Sequence, residues 1–174
     1  VKIRSGTVYG SGWAIENGWI ITNEHVISGH TNVSVEVPVK NKNSIRRLNG
    51  LVRGIDTKRD LAAIQVNHNA PVLPTREVSI DDTGDLLISF GYSASSSTSM
   101  GYPSVHTGVI TTVIRHFGNV LESASSRVET NEETGGVGVI VFDADADPGD
   151  SGGPVVDING NAIGITFGSV ISTS

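Results

Sequence analysis

Hydrophobic positions in this chain come in short runs, most of them separated by glycine, asparagine, aspartate or serine. The runs are GWIITNEHVI (18–27), TNVSVEV (31–37), LAAIQV (61–66), DLLISFG (85–91), TGVITTVI (107–114), GVGVIVF (136–142), PVVDI (154–158) and AIGITFG (162–168). They are rich in Val, Ile and Thr, whose branched side chains suit a pleated surface. No segment sustains an apolar period of about 3.6 residues, so long helices are not expected. ENG (16–18), NKN (41–43) and NGN (159–161) carry turn chemistry between the runs. Many short strands with frequent turns predict an all-β barrel or sandwich. The polar stretch 67–84, with Pro71 and Pro74, divides the strands into two groups, and SASSSTS (93–99) reads as a mobile loop of small residues.

Composition narrows the class without changing that picture. With 174 residues, 37% of them hydrophobic and 17% charged, the chain suits one ordinary domain or two small barrels sharing a core. No apolar run approaches the roughly 18 residues of a membrane-spanning helix. The chain does not open on a basic-then-apolar leader, which reads as a mature or trimmed form and an extracytoplasmic location. Cysteine is absent, which excludes disulfide and thiolate chemistry.

A net charge of −6 argues against a general nucleic-acid binder, whose affinity rests on a basic footprint. The charge is uneven. Lys40, Lys42, Arg46, Arg47, Arg53, Lys58 and Arg59 crowd one stretch, and Glu129, Glu132, Glu133, Asp143, Asp145, Asp147 and Asp150 another. Two solvated surfaces account for this simply; a negative field around Ser151 is the sharper reading.

Candidate chemistry gathers at DPGDSGGPVV (147–156), where one serine, Ser151, sits among three glycines and two prolines. Glycine is costly to order and proline fixes its own φ, so such a cluster is either a plain turn or a backbone shaped around one hydroxyl. A serine nucleophile needs a base, usually histidine, and the histidine needs a carboxylate to fix its tautomer. His30, His68 and His116 lie in turn-like or strand-end surroundings and read as surface residues, and His106 reads as a strand-end residue. His25 differs: it follows the apolar WIITN and precedes VI, where a buried strand ends.

GSGWAIENGWIITNEHVISG (10–29), GIDTKRDLAAIQV (54–66) and DADADPGDSGGPVVDINGNAIGI (143–165) together resemble the trypsin/chymotrypsin-like serine proteases, most nearly the HtrA/Deg type. The three blocks stand in that family's order and cover nearly the whole chain. The resemblance implies two antiparallel six-stranded-type β-barrels: an N-terminal barrel over 1–70, a linker over 71–84 and a C-terminal barrel over 85–174. The active site would lie in the cleft between them. It implies His25 as general base, Asp60 as the carboxylate that orients it, Ser151 as nucleophile, and the Gly149 and Ser151 N–H groups as oxyanion hole. Asp56, the other acid of its motif, reads as a turn residue.

The implied activity is a serine endopeptidase acting on protein or peptide substrates, with no cofactor and no metal. A processing protease of narrow specificity and a catalytically restrained binding or chaperone module are the alternatives. Two departures stand out. VKIRSG is not the usual N-terminal activation sequence, so Val1–Ile3 reads as a first strand and Asp150 needs another partner, a basic side chain or backbone N–H groups. Asp145, six residues before Ser151, matches the acid that selects Arg or Lys, although HtrA-like members carry a small residue there; with Gly168 it is the candidate substrate pocket.

Overall fold

In the computed structural model, residues 1–39, 44–68, 70–93, 103–114 and 138–168 are described. The NKN turn, His116 and most of the 93–99 loop lie outside them. The architecture is all-β, with two antiparallel sheets, each curled toward a barrel.

The first sheet contains β1 (Lys2–Ser5), β2 (Val8–Ser11), β3 (Trp13–Glu16), β4 (Trp19–Thr22), β5 (Asn32–Pro38), β6 (Ile45–Asp56) and β7 (Leu61–Gln65), in the order β2-β1-β5-β6-β7-β4-β3. Its two edge strands, β2 and β3, are one ribbon interrupted only at Gly12, whose N–H donates to the Val1 carbonyl at 3.0 Å. The chain itself therefore closes the ring, and seven assigned strands make six ribbons. Ile3, Ile20, Val33, Val35 and Ile64 alternate inward from four of the strands and fill the interior. Val1 belongs to this barrel, its ammonium donating to the Gly12 carbonyl at 2.8 Å.

The second sheet contains β8 (Leu86–Gly91), β9 (Ser104–Ile114), β10 (Val139–Phe142), β11 (Pro154–Asp157) and β12 (Ala162–Ile165), in the order β10-β9-β8-β11-β12. Leu87, Ile110, Val155 and Ile163 form its core. Between the two sheets in sequence, the segment expected as a linker is pinned by side-chain contacts. Arg76 reaches Asp157 at 2.9 Å and Asp82 at 2.7 Å, and Ser79 caps a short 3-10 turn at Ile80–Asp82.

Two local expectations need correction, and one stretch holds an element not foreseen. The run 18–27 is not one strand: β4 stops at Thr22 and a four-residue helix, α1 (Glu24–Ile27), follows. So few residues cannot display a helical period, and their branched apolar side chains resemble a strand's. The basic stretch, read as a solvated surface, contains the longest strand among the described residues, β6, whose Arg46, Arg47 and Arg53 do point to solvent. His68 is not a surface residue; it is 3% exposed and its Nδ1 accepts the Ala70 N–H at 2.9 Å.

Candidate active site

The first barrel supplies a histidine and a carboxylate. Buried β4 ends at Thr22, and α1 turns the chain so that Val26 and Ile27 point into the core while His25 faces solvent. Ser28 ends the helix in the left-handed region at φ 48°. Opposite, the β6–β7 turn is built by Asp56, whose Oδ1 accepts the Lys58 and Arg59 N–H groups, both at 3.1 Å, and whose Oδ2 accepts from the Arg59 guanidinium at 2.7 Å. Asp56 is thus the turn residue expected of it.

That turn leaves Asp60 at φ 52°, a conformation aspartate tolerates better than most residues. It also aims both Asp60 carboxylate oxygens at one residue. Oδ2 lies 2.7 Å from His25 Nδ1, and Oδ1 accepts the His25 backbone N–H at 3.0 Å. The Asp60 carbonyl accepts from Asn23 Nδ2 at 2.9 Å and from the Glu24 N–H at 3.2 Å. The hydrogen bond that His25 Nδ1–H donates to Asp60 raises the His25 pKa above its ordinary 6.5, against partial burial. A carboxylate on Nδ1 leaves Nε2 as the nitrogen free to take a proton.

The second barrel supplies the serine loop between β10 and β11. Gly149 sits at φ 102° and Gly152 at φ 87°, values that L side chains rarely adopt. A Cβ on Gly152 would also collide with the Ser11 carbonyl and the Thr22 hydroxyl, so the loop needs glycine for space as well. The Asp150, Gly152 and Gly153 N–H groups donate to the Asp147, Thr166 and Asp150 carbonyls at 3.0, 2.8 and 2.9 Å. Among the described residues the Gly149 and Ser151 N–H groups donate to none, and Ser151 is half-buried.

Ser11 joins the halves. Its N–H donates to the Ser151 carbonyl at 2.7 Å, its hydroxyl donates to the Gly149 carbonyl at 2.8 Å, and that hydroxyl accepts the Tyr92 N–H at 2.7 Å. The Thr22 hydroxyl in turn donates to the Ser11 carbonyl at 2.7 Å. Sequence reasoning quoted GSG (10–12) only as a motif and assigned Ser11 no role.

His106 was also missed. It is the third residue of β9, not a strand-end residue, and its Nε2 lies 3.5 Å from Asp150 Oδ2. Asp150 is 3% exposed, and burial raises its carboxyl pKa. Its other contact is the expected backbone donor, the Asp147 N–H at 2.9 Å.

Gly168 lines an apolar cavity of about 390 Å³ with Asp60, Val139, Phe142, Ile163 and Phe167. Asp145 is solvent-exposed and does not line it.

Comparison with known proteins agrees with this architecture. A family model described as a trypsin-like peptidase domain matches residues 6–165. The active-form crystal structure of the Rv3671c protease from M. tuberculosis is 28% identical with a TM-score of 0.74, over 98% of this chain and 70% of that one. An HtrA-type protease, AlgW, solved with a decapeptide, is 25% identical with a TM-score of 0.69, over 94% of this chain and 43% of that one. Deg5 shares the fold at 20% identity and a TM-score of 0.73, over 97% of this chain and 78% of that one. No curated protein sequence matches significantly.

Proposed function

The chain belongs to the trypsin-like peptidase domain family, and from that premise we propose that it is an endopeptidase working through an acyl-enzyme on Ser151. It is a serine protease nearest the HtrA type, with the two-barrel chymotrypsin-like fold. His25 Nε2 takes the Ser151 proton as Oγ attacks the substrate carbonyl. The charge that develops on the ring is held by Asp60 through Nδ1–H. The tetrahedral oxyanion accepts from the Gly149 and Ser151 N–H groups, which no internal carbonyl occupies among the described residues. Collapse expels the leaving amine, which takes the proton from His25. Water then attacks the ester by the same route and frees Ser151.

One observation carries the reading. Asp60 grips His25 twice, at the ring and at the backbone, and so sets both tautomer and position. Oxyanion donors of this kind are each worth about 10²–10³ in rate. No helix among the described residues is long and apolar enough to cross a membrane.

The test is a serine-reactive fluorophosphonate together with a peptide library. Wild-type protein is labelled at Ser151, and Ser151→Ala loses both labelling and cleavage. Labelling that persists in Ser151→Ala, for example at a serine in 93–99, overturns the assignment. A catalytically restrained module would leave the wild type unlabelled. A processing protease would be labelled but would cleave only a narrow junction sequence.

A further inference from the structure

Behind the serine loop, three side chains converge that the proposed chemistry does not use. His106, Asp147 and Asp150 each offer one donor atom within 4.8 Å of the others. His106 stands on β9, where it pairs with Ser89 of β8, so the imidazole arrives from a rigid sheet. Asp147 and Asp150 arrive from a turn closed by the Asp150 N–H on the Asp147 carbonyl at 3.0 Å and the Asp147 N–H on Asp150 Oδ2 at 2.9 Å.

The cluster is more than a group of acids. The Asp150 side chain is 5% exposed, yet its buried Oδ1 has no hydrogen-bond partner. His106 Nε2 is also buried without one. The 3.5 Å from that nitrogen to Asp150 Oδ2 is long for a hydrogen bond. If the proton sits on Nδ1, two acceptors face each other across that gap. Desolvation of Asp150 outweighs the Asp147 N–H and the attraction of His106.

A cation between His106 Nε2 and Asp150 Oδ2 answers the facing acceptors and the burial of the Asp150 charge, while Oδ1 packs toward Gly91. Bonds of about 2.0–2.1 Å in a tetrahedron put neighbouring ligand atoms about 3.4 Å apart, close to the 3.5 Å between His106 Nε2 and Asp150 Oδ2, with all three ligand atoms within 4.8 Å of one another. One imidazole nitrogen with two carboxylate oxygens suits borderline divalent ions such as zinc or cobalt rather than calcium, which takes oxygen ligands only. We propose that His106, Asp147 and Asp150 form a binding site for a divalent transition-metal ion of the zinc type, with water completing its coordination. The ion is structural and touches no reacting atom. It ties β9 to the turn that precedes Ser151 and thereby braces the Gly149–Ser151 backbone from behind. Asp147 keeps its second oxygen for the Ser93 hydroxyl, 3.0 Å from Oδ2.

The chain lacks cysteine, which makes a spectroscopic test clean. The full chain, stripped with chelator, is titrated with Co²⁺ and followed by visible absorption, and with Zn²⁺ followed by calorimetry. Wild type binds one equivalent of either ion, and His106→Asn and Asp147→Ala lose binding. His106→Cys regains it and adds a thiolate-to-cobalt charge-transfer band that a merely structural role could not produce. His25→Ala retains the site, which separates it from the other histidine–aspartate pair. Amide exchange across Asp147–Gly152 slows on metal addition in the wild type and is unchanged in His106→Asn. No binding by wild type, binding indifferent to His106→Asn, no such band in His106→Cys, binding lost in His25→Ala, or exchange unaltered by bound metal overturns the proposal. Binding is read without turnover, so the result stands apart from the peptidase assignment.

Discussion

The two halves of the site are held in opposite ways. The His25 half is made entirely within the first barrel. Asn23, Glu24 and His25 all bond to Asp60, and Asp56 builds the turn that presents it. The Ser151 half hangs between barrels. The Ser151 and Gly149 carbonyls are held by Ser11 across the cleft, while Thr166 holds the Gly152 N–H from its own side. The proposed base is therefore a property of one barrel, and the geometry of the proposed nucleophile is a property of the seam. Damage to the first half should act on chemistry alone. Damage to the seam should reach stability as well.

The largest expected effect tests the first half of that statement. Asp60→Asn keeps the size of the side chain and suits the left-handed backbone, since asparagine tolerates positive φ. It should still lower kcat by about 10⁴-fold by presenting the wrong His25 tautomer. Thermal unfolding should barely change, and Asp56→Asn should cost far less activity. Equal damage from the two variants would mean that the wrong carboxylate orients His25.

Next comes the seam. Ser11→Ala leaves the Gly149 carbonyl and the Tyr92 N–H without their partner, which costs about 1–3 kcal/mol of stability for a buried group. It should also lower kcat more than it raises KM, because the backbone of the oxyanion donors loosens. Unfolding curves measured beside steady-state kinetics check both parts. A variant that loses stability with kcat intact would confine Ser11 to holding the barrels together.

A pH profile sharpens the contrast. The Asp60 hydrogen bond raises the His25 pKa above 6.5. The acid limb of kcat/KM should then lie above that value, because the base works only when neutral. The same shift has the opposite sign for folding: its stabilisation is complete below about pH 6.5 and fades as pH rises through the folded-state pKa. Residual activity in Asp60→Asn should show its acid limb displaced downward. An unmoved limb would assign it to another group.

The smallest effect belongs to Asp145. As an exposed carboxylate it can favour Arg or Lys before the scissile bond only through a screened field, worth a few-fold and weakened by salt. Library profiling of Asp145→Ser at low and high ionic strength measures this. A preference near 10²-fold that vanishes in the variant would instead put Asp145 in direct contact with substrate.

Legibility in the sequence followed local pattern. His25, Asp60 and Ser151 could be singled out because each lies in a short block with its own turn or glycine chemistry. The strands of the second barrel could be read because branched apolar runs alternate there with turn residues. β6 escaped because its arginines mask a strand that shows one face to water. Ser11 and His106 escaped for another reason. Each is an ordinary residue within a strand, and its importance comes from what lies across space: Gly149 is 138 residues from Ser11, and Asp150 reaches His106 only after the barrel has folded. No period or local motif encodes such pairs.

The break at Gly12 has a consequence for the order in which the molecule forms. β1 pairs with β5, β5 with β6, β6 with β7, and β7 with β4, so the ring shuts only when residues 61–65 have joined residues 2–22. Hairpins β1–β2 and β3–β4 can form early, but a two-stranded hairpin is marginal alone. The expensive loop closures must come before most of the reward, which is the signature of slow folding, in the range of milliseconds to seconds. During synthesis the first barrel must wait for its seventh strand, and until then the His25 segment is without the turn that gives it a partner.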